Sequence, residues 1–200
     1  MLNQRVLKRF LLYRLVLIKF QKLGFIKVFS YNLGKEAGFK AEQVRKDFSL
    51  AGIKGSRRGG YDIVNVLESI NKLFKKDGER LVILVGIGNI GQALINYVEF
   101  KESNIKIVAG FDLDPSKYTR KNVIPVYPPD RIQEITRKYA IKTAIIAVPE
   151  ASGQEVCNQL VTAGIQGILN FSPVVLHVPE NIIVNYVNIR NELESLFYFN

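Results

Sequence analysis

Three glycines, Gly86, Gly88 and Gly91, and one carboxylate, Asp112, are the residues whose types and spacing point most directly to chemistry. The glycines follow Leu81-Val-Ile-Leu-Val85, an apolar run that suits a strand buried on both faces of a parallel sheet. Residues Ile90, Leu94, Tyr97 and Val98 then recur with helical spacing. Gly86-Ile87-Gly88-Asn89-Ile90-Gly91 therefore reads as G-x-G-x-x-G between a strand and a helix, the setting of a dinucleotide pyrophosphate site. The first glycine permits a tight turn, the second lets backbone approach phosphate, and the third lets helix and strand pack closely. Orphan N–H groups at the helix start would hold the anion.

A lone glycine motif is weak, so the expected acidic companion about twenty residues on decides its weight. Ile105-Lys-Ile-Val-Ala-Gly-Phe111 reads as a second strand, and Asp112 stands at its carboxyl end with Leu113 beside it. There a carboxylate accepts from ribose hydroxyls and repels a 2′-phosphate, favouring NAD(H) over NADP(H). The competing reading of Asp112 is an acidic turn residue, helped by Asp114-Pro115.

Strand and helix continue to alternate: strand Val123–Val126, a helix capped by Asp130, strand Thr143–Val148, a helix over Ala151–Ala163, and strands Gln166–Asn170 and Ile182–Val187. That pattern predicts an α/β, Rossmann-type doubly wound parallel sheet. Ligands of such sheets bind beyond the strands' carboxyl ends, where Val148, Pro149, Asn170 and Phe171 fall. Chain-turning residues also collect there for structural reasons, and both readings stay open.

The net charge of +10 is unevenly spread. Residues 1–80 hold 18 Lys+Arg against 7 Asp+Glu, a net of +11, while residues 81–200 hold 10 against 11, a net of −1. A small basic module joined to a near-neutral one makes nucleic acid the first partner to test. Its first helix, Gln4–Lys22, carries Leu7, Leu11, Leu15 and Ile18 on one face. Ser30 is placed to cap a helix over Asn32–Ala37, Gly38 turns the chain, and Ala41–Leu50 forms another helix with Ala41, Val44 and Phe48 inward. Helix, turn and helix with a polar outer face is the grammar of a helix-turn-helix. Gly52–Tyr61 follows as a glycine-rich hairpin with a basic tip, a wing. The candidate DNA contacts are Lys40, Gln43, Arg45, Lys46 and Ser49 around the second helix and Lys54, Arg57 and Arg58 on the wing, for which a solvated basic surface is the alternative. Asp62 caps a further helix to Phe74, with Ile63, Val66, Leu67 and Ile70 apolar.

The expected domains are a winged helix-turn-helix over 1–78, a Rossmann NAD(H) domain over 79–187, and a C-terminal helix over 188–200 whose Ile189, Leu193, Leu196 and Phe197 need a surface to cover them, on this chain or a second subunit. One histidine, His177, and one cysteine, Cys157, exclude a Cys/His metal site and an internal disulfide framework. Cys157 reads as a packed thiol. Arg14 and Lys19 interrupt the apolar run Phe10–Phe20, so the chain reads as cytoplasmic without a membrane span. No catalytic residue and no metal ligand is expected.

The whole chain resembles the Rex family of redox-sensing transcriptional repressors. The resemblance is carried by Gln43-Val-Arg-Lys-Asp-Phe-Ser49, the wing Gly55–Tyr61, Gly86–Gly91 with Asn96-Tyr97, Phe111–Pro115, Val148-Pro149 and Gly164–Pro173. It implies a homodimer that exchanges C-terminal helices, binds an inverted-repeat operator on double-stranded DNA, and is released by NADH, with NAD⁺ competing for the same pocket. Tyr97 falls at the family's sensing tyrosine. Two departures stand out. Asn188 occupies the position of an aspartate that pairs across the dimer, and Leu15, beside Arg14, that of its arginine partner. An asparagine bonds a phenol but forms no ion pair, which leaves a repressor with a weak or altered NADH response as one alternative. The others are an NAD-dependent dehydrogenase with a basic appendage and a nucleotide-fold domain of the CoA-binding kind.

Overall fold

The computed structural model describes residues 2–56, 58–74, 79–98, 100, 104–118 and 123–198. The chain forms two compact units, Met1–Asp77 and Gly78–Asn200.

In the first unit, α1 (Gln4–Lys22) is capped by Asn3, whose side chain accepts from the Val6 N–H at 3.0 Å. Its buried stripe is Val6, Phe10, Tyr13 and Leu17. The expected stripe was one position off: Leu11 and Leu15 are 45% and 59% exposed. The helix has apolar residues on two sides, and the larger aromatic payload wins the core. Phe10 stacks on Phe48, and Tyr13 meets the edges of both Phe39 and Phe48.

Strand β1 (Lys27–Val28) leads into α2 (Ser30–Ala37). Ser30 is the first helical residue and not its cap; its hydroxyl instead accepts from Arg45 Nη1 at 3.1 Å. Gly38, at φ +77°, makes the turn into α3 (Ala41–Leu50). The hairpin closes through reciprocal Ser56–Gly60 backbone bonds of 3.0 and 2.9 Å. Strand β2 (Tyr61–Asp62) then pairs antiparallel with β1, Val28 opposite Tyr61. Gly60, at φ +66°, faces the Val28 carbonyl so closely that a Cβ would collide with it. The helix α4 (Ile63–Phe74) buries Ile63, Val66, Leu67 and Ile70, and Asp62 caps it by accepting the Asn65 N–H at 3.0 Å. Asp62→Ala is expected to cost about 1 kcal/mol, read as a lower unfolding midpoint of this unit.

The second unit has six parallel strands: β3 (Arg80–Val85), β4 (Ile105–Phe111), β5 (Val126–Tyr127), β6 (Thr143–Ile146), β7 (Gly167–Asn170) and β8 (Ile183–Tyr186). Their spatial order is β5-β4-β3-β6-β7-β8, the doubly wound order in which the chain reverses direction across the sheet at β3 and β6. On β3, Ile83 and Val85 enter one core with Phe111, Ile146 and Leu160, while Val82 and Leu84 enter the other with Ile107 and Ile145. The pairings Val85–Phe111, Val85–Ile146 and Ile146–Asn170 align the carboxyl ends of the central strands.

Three local expectations shift. The third strand of this unit is Val126–Tyr127, not Val123–Val126. Asp130 lies inside a 3-10 turn, Pro129–Arg131, that the Pro128-Pro129 pair starts, so it does not cap the following α6 (Ile132–Lys138). The helix after the glycine loop, α5 (Asn89–Ile95), stops before Tyr97 and Val98. Asn96 ends it by turning its side chain back to the Gln92 carbonyl at 2.9 Å.

Helix α7 (Glu150–Thr162) buries Val156, Cys157 and Leu160, and burial pushes the Cys157 thiol up, as suits a packed group. Helix α8 (Ile189–Tyr198) buries nothing on its own chain; Ile189, Leu193, Leu196 and Phe197 are all more than half exposed. Asn188 caps it, accepting the Asn191 N–H at 3.1 Å. Among the described residues no helix is long and apolar enough to cross a membrane, and no cluster of His, Cys, Asp or Glu could hold a metal.

Candidate functional site

The glycine loop follows β3 at the carboxyl end of the sheet, beside the end of β6. Gly86, at φ +95°, presses on the Ala147 carbonyl, and a Cβ on Gly91 would strike the Gly86 carbonyl. These two glycines are required by packing. Gly88 differs: a Cβ there would meet nothing within 4 Å, and no side chain caps α5. Its open space is where a phosphate has room to approach unsatisfied N–H groups.

Asp112 faces the loop from the end of β4. Its Oδ2 accepts from the Ile87 N–H at 2.7 Å and from Lys117 Nζ at 2.8 Å, and its Oδ1 from the Asp114 N–H at 3.0 Å. Burial pushes the Asp112 carboxyl up, but Lys117 and the N–H groups of Asp114 and Ile87 outweigh it and hold it below the usual aspartate range. Asp112 therefore ties the glycine loop to β4 as an ionised group.

A cleft of about 320 Å³ opens between them. Of the residues singled out from sequence it brings together Gly86, Gly88, Asp112, Leu113, Val148 and Pro149, and it adds Phe111, Lys117, Pro129, Ala147, Ser152 and Val156. Ile87 is buried behind it, and Asn89, Ile90 and Gly91 open α5. Tyr97 is not among the lining residues; it packs edge-on against Phe100 with ring centroids 5.1 Å apart. Asn170 is 1% exposed, its amide bonded to the backbone of Ser172 and Val174, and it borders a separate hollow with Asn188 and Arg190. Phe171 packs on the core of the sheet's other face. The structural reading of Asn170-Phe171 is thus the one the contacts favour. Lys117 was missed because a lysine after Asp-Pro carries no signature of its own.

On the first unit Lys40, Arg45, Lys46, Ser49, Lys54 and Arg58 are exposed, Gln43 is half-buried, and Arg57 lies outside the described residues. A groove of about 580 Å³ runs between α2, α3 and the hairpin, bordered by Phe29, Ser30, Tyr31, Arg45 and Tyr61. Sequence reasoning missed Asp47, a fully buried carboxylate on α3. It is bound by Arg9 Nε at 2.6 Å and Nη2 at 2.7 Å, Tyr13 Oη at 2.9 Å and Gln43 Nε2 at 2.8 Å. The available signal was its position between Val44 and Phe48 on the apolar face.

Comparison with known proteins decides the family. A model described as "CoA binding domain" matches residues 77–174, and one described as "Putative DNA-binding protein N-terminus" matches residues 3–49. The redox-sensing transcriptional repressor Rex of Streptococcus pneumoniae (strain Hungary19A-6) is 38% identical over 195 residues, 96% of this chain and 92% of that protein. The chain belongs to the Rex family. Solved structures agree. RSP in complex with beta-NAD⁺ and operator DNA matches with a TM-score of 0.91 at 27% identity, covering 100% of this chain and 92% of that one. RSP in complex with beta-NADH matches with a TM-score of 0.88 at 26% identity, covering 100% and 94%. Membership makes the chain a DNA-binding transcriptional repressor of the redox-sensing, NAD(H)-responsive kind, and it sets the dehydrogenase reading aside. The CoA-binding name describes a fold that the Rex chains share.

Proposed function

We propose that this chain is a cytoplasmic homodimeric repressor that binds an inverted-repeat operator and lets go of it when the NADH/NAD⁺ ratio rises. The observation that carries the reading is the Gly86–Gly88 loop tied to an ionised Asp112 beside an open cleft, on the same chain as a basic winged helix-turn-helix. Gly88 and the start of α5, with Asn89, Ile90 and Gly91, hold the pyrophosphate; Asp112 and Leu113 hold the adenosine ribose; Val148 and Pro149 border the far end. Lys40, Gln43, Arg45, Lys46, Ser49, Lys54, Arg57 and Arg58 contact DNA, most through phosphates. The C-terminal helix of 188–200 is exchanged between subunits, which would cover the apolar face that α8 leaves open. NADH and NAD⁺ differ in hydride content and charge at the nicotinamide, and release requires the reduced form to bind the DNA-incompetent arrangement more tightly.

Lys117→Met should make this visible. Without the ammonium one of the groups that hold Asp112 down is lost, while the N–H groups of Asp114 and Ile87 remain, so its carboxyl titrates higher than in the wild type. As pH is lowered, NADH affinity should therefore begin to fall at a higher pH in the variant than in the wild type. Fluorescence titration of bound NADH measures both.

The reading is tested by gel shift on an inverted-repeat duplex selected from a randomised pool, with NAD⁺ and then NADH. Absence of any shift overturns the DNA claim, and a shift that NADH leaves unchanged overturns the sensing claim. A repressor with a weakened response is favoured by one observation, the use of Asn188 as the α8 cap without a charge. Asn188→Asp keeps a capping oxygen and adds the charge, so it should lower the NADH concentration needed for release. An unchanged release curve would show that this departure does not weaken the switch.

A further inference from the structure

This inference rests on the DNA-binding reading and concerns how Gln43 is held. Asp47, one turn along α3, is 0% exposed and accepts four hydrogen bonds, two from Arg9 and one each from Tyr13 and Gln43. A carboxylate has about four acceptor sites, so all are filled. Arg9 and Tyr13 come from α1, which means the carboxylate is anchored from outside its own helix. An ionised carboxylate has no proton to give. The end of the Gln43 amide that faces it is therefore the nitrogen, and one N–H and Oε1 remain for another partner. Adenine in the major groove asks for this pair, a donor to N7 and an acceptor for N6. Guanine, with acceptors at both N7 and O6, would need two donors, and the amide has one left.

We propose that Asp47 is a positioning residue for base readout: by fixing which end of the Gln43 amide is the donor, it sets Gln43 to read an adenine. Burial pushes the Asp47 carboxyl up, and the bonds from Arg9, Tyr13 and Gln43 outweigh it, keeping the group ionised and acceptor-only. Asp47→Asn is nearly isosteric but both donates and accepts, so the Gln43 amide is free to flip.

The test is selection from a randomised duplex pool by the full-length protein with NAD⁺, comparing wild type, Gln43→Ala, Asp47→Asn and Tyr13→Phe. The wild type should enrich one adenine per half-site that Gln43→Ala loses. Asp47→Asn should weaken that preference by roughly 5- to 150-fold at the same position, while affinity for unrelated duplex and its salt dependence stay as in the wild type. Tyr13→Phe removes a donor to Asp47 without touching Gln43 and should keep the adenine. If circular dichroism shows Asp47→Asn unfolded, the double variant Arg9→Met with Asp47→Asn removes the orphaned cation and should show the same lost preference. A folded Asp47 variant that still selects the adenine overturns the proposal, as does a Gln43→Ala pool identical to the wild type. A wild-type pool with no enrichment at all overturns the DNA-binding reading itself.

Discussion

Gly88→Val is expected to lower NADH affinity on the order of 100-fold, about 2.7 kcal/mol, while leaving DNA binding intact. The reason is local. At Gly86 and Gly91 an added Cβ strikes backbone, so substitutions there damage the fold as well as the site. At Gly88 the backbone has φ −81° and an added Cβ meets no protein atom within 4 Å, so the fold has room for a side chain to begin there and the phosphate approach is what it blocks. The variant should stay folded by circular dichroism, shift operator DNA, and no longer release it with NADH. Retained NADH binding, measured by calorimetry, would mean that the cofactor does not lie over this loop.

Arg9→Ala has the second large effect, on stability. Its guanidinium is the only cationic partner of Asp47 among the described ion pairs, and removing it leaves a carboxylate without exposed surface unpaired by charge. Breaking such a pair costs about 3–5 kcal/mol, which for a unit of this size lowers the unfolding midpoint by more than about 10 °C. The same pair gives the wild type a pH signature. The folded-state value of Asp47 is depressed, so its stabilisation is fully present above the unfolded-state aspartate value and is lost as pH falls through the folded one. Acid should therefore destabilise the wild-type unit, and Arg9→Ala should flatten that dependence. Thermal melts across the acid range measure it; equal midpoints for wild type and Arg9→Ala would contradict the buried clamp.

The dinucleotide cleft was legible in the sequence because backbone geometry restricts its residues. Only glycine tolerates the φ of Gly86 and the close approach at Gly91, and β4 ends where Asp112 must stand to reach the Ile87 N–H. The sheet was legible too, since β3 is apolar on both faces. What failed rested on weaker signals. The buried face of α1 is ambiguous in the sequence because leucines repeat at helical spacing beside the stripe of Phe10 and Tyr13, and only the aromatic contacts to Phe48 decide between them. Helix α5 was read too long because Tyr97 and Val98 continue its period, while Asn96 ends it through a side-chain bond that periodicity does not register. Asp47 drew no expectation from sequence, since its partner Arg9 lies 38 residues away and only the fold brings the two together. For Asn170 the sequence left a ligand contact and a turn residue both open, and the amide's bonds within its own turn are a tertiary detail that no sequence pattern carries.

Cofactor binding and DNA binding are coupled in a redox-sensing repressor, and the most direct measurement varies them together. Fluorescence anisotropy of a labelled operator duplex, followed at constant total NAD(H) while the NADH/NAD⁺ ratio is raised, should show bound protein released as NADH accumulates. Gly88→Val should stay bound throughout. Release that follows total cofactor and not the ratio, or no release in the wild type at any ratio, would contradict the redox-sensing role.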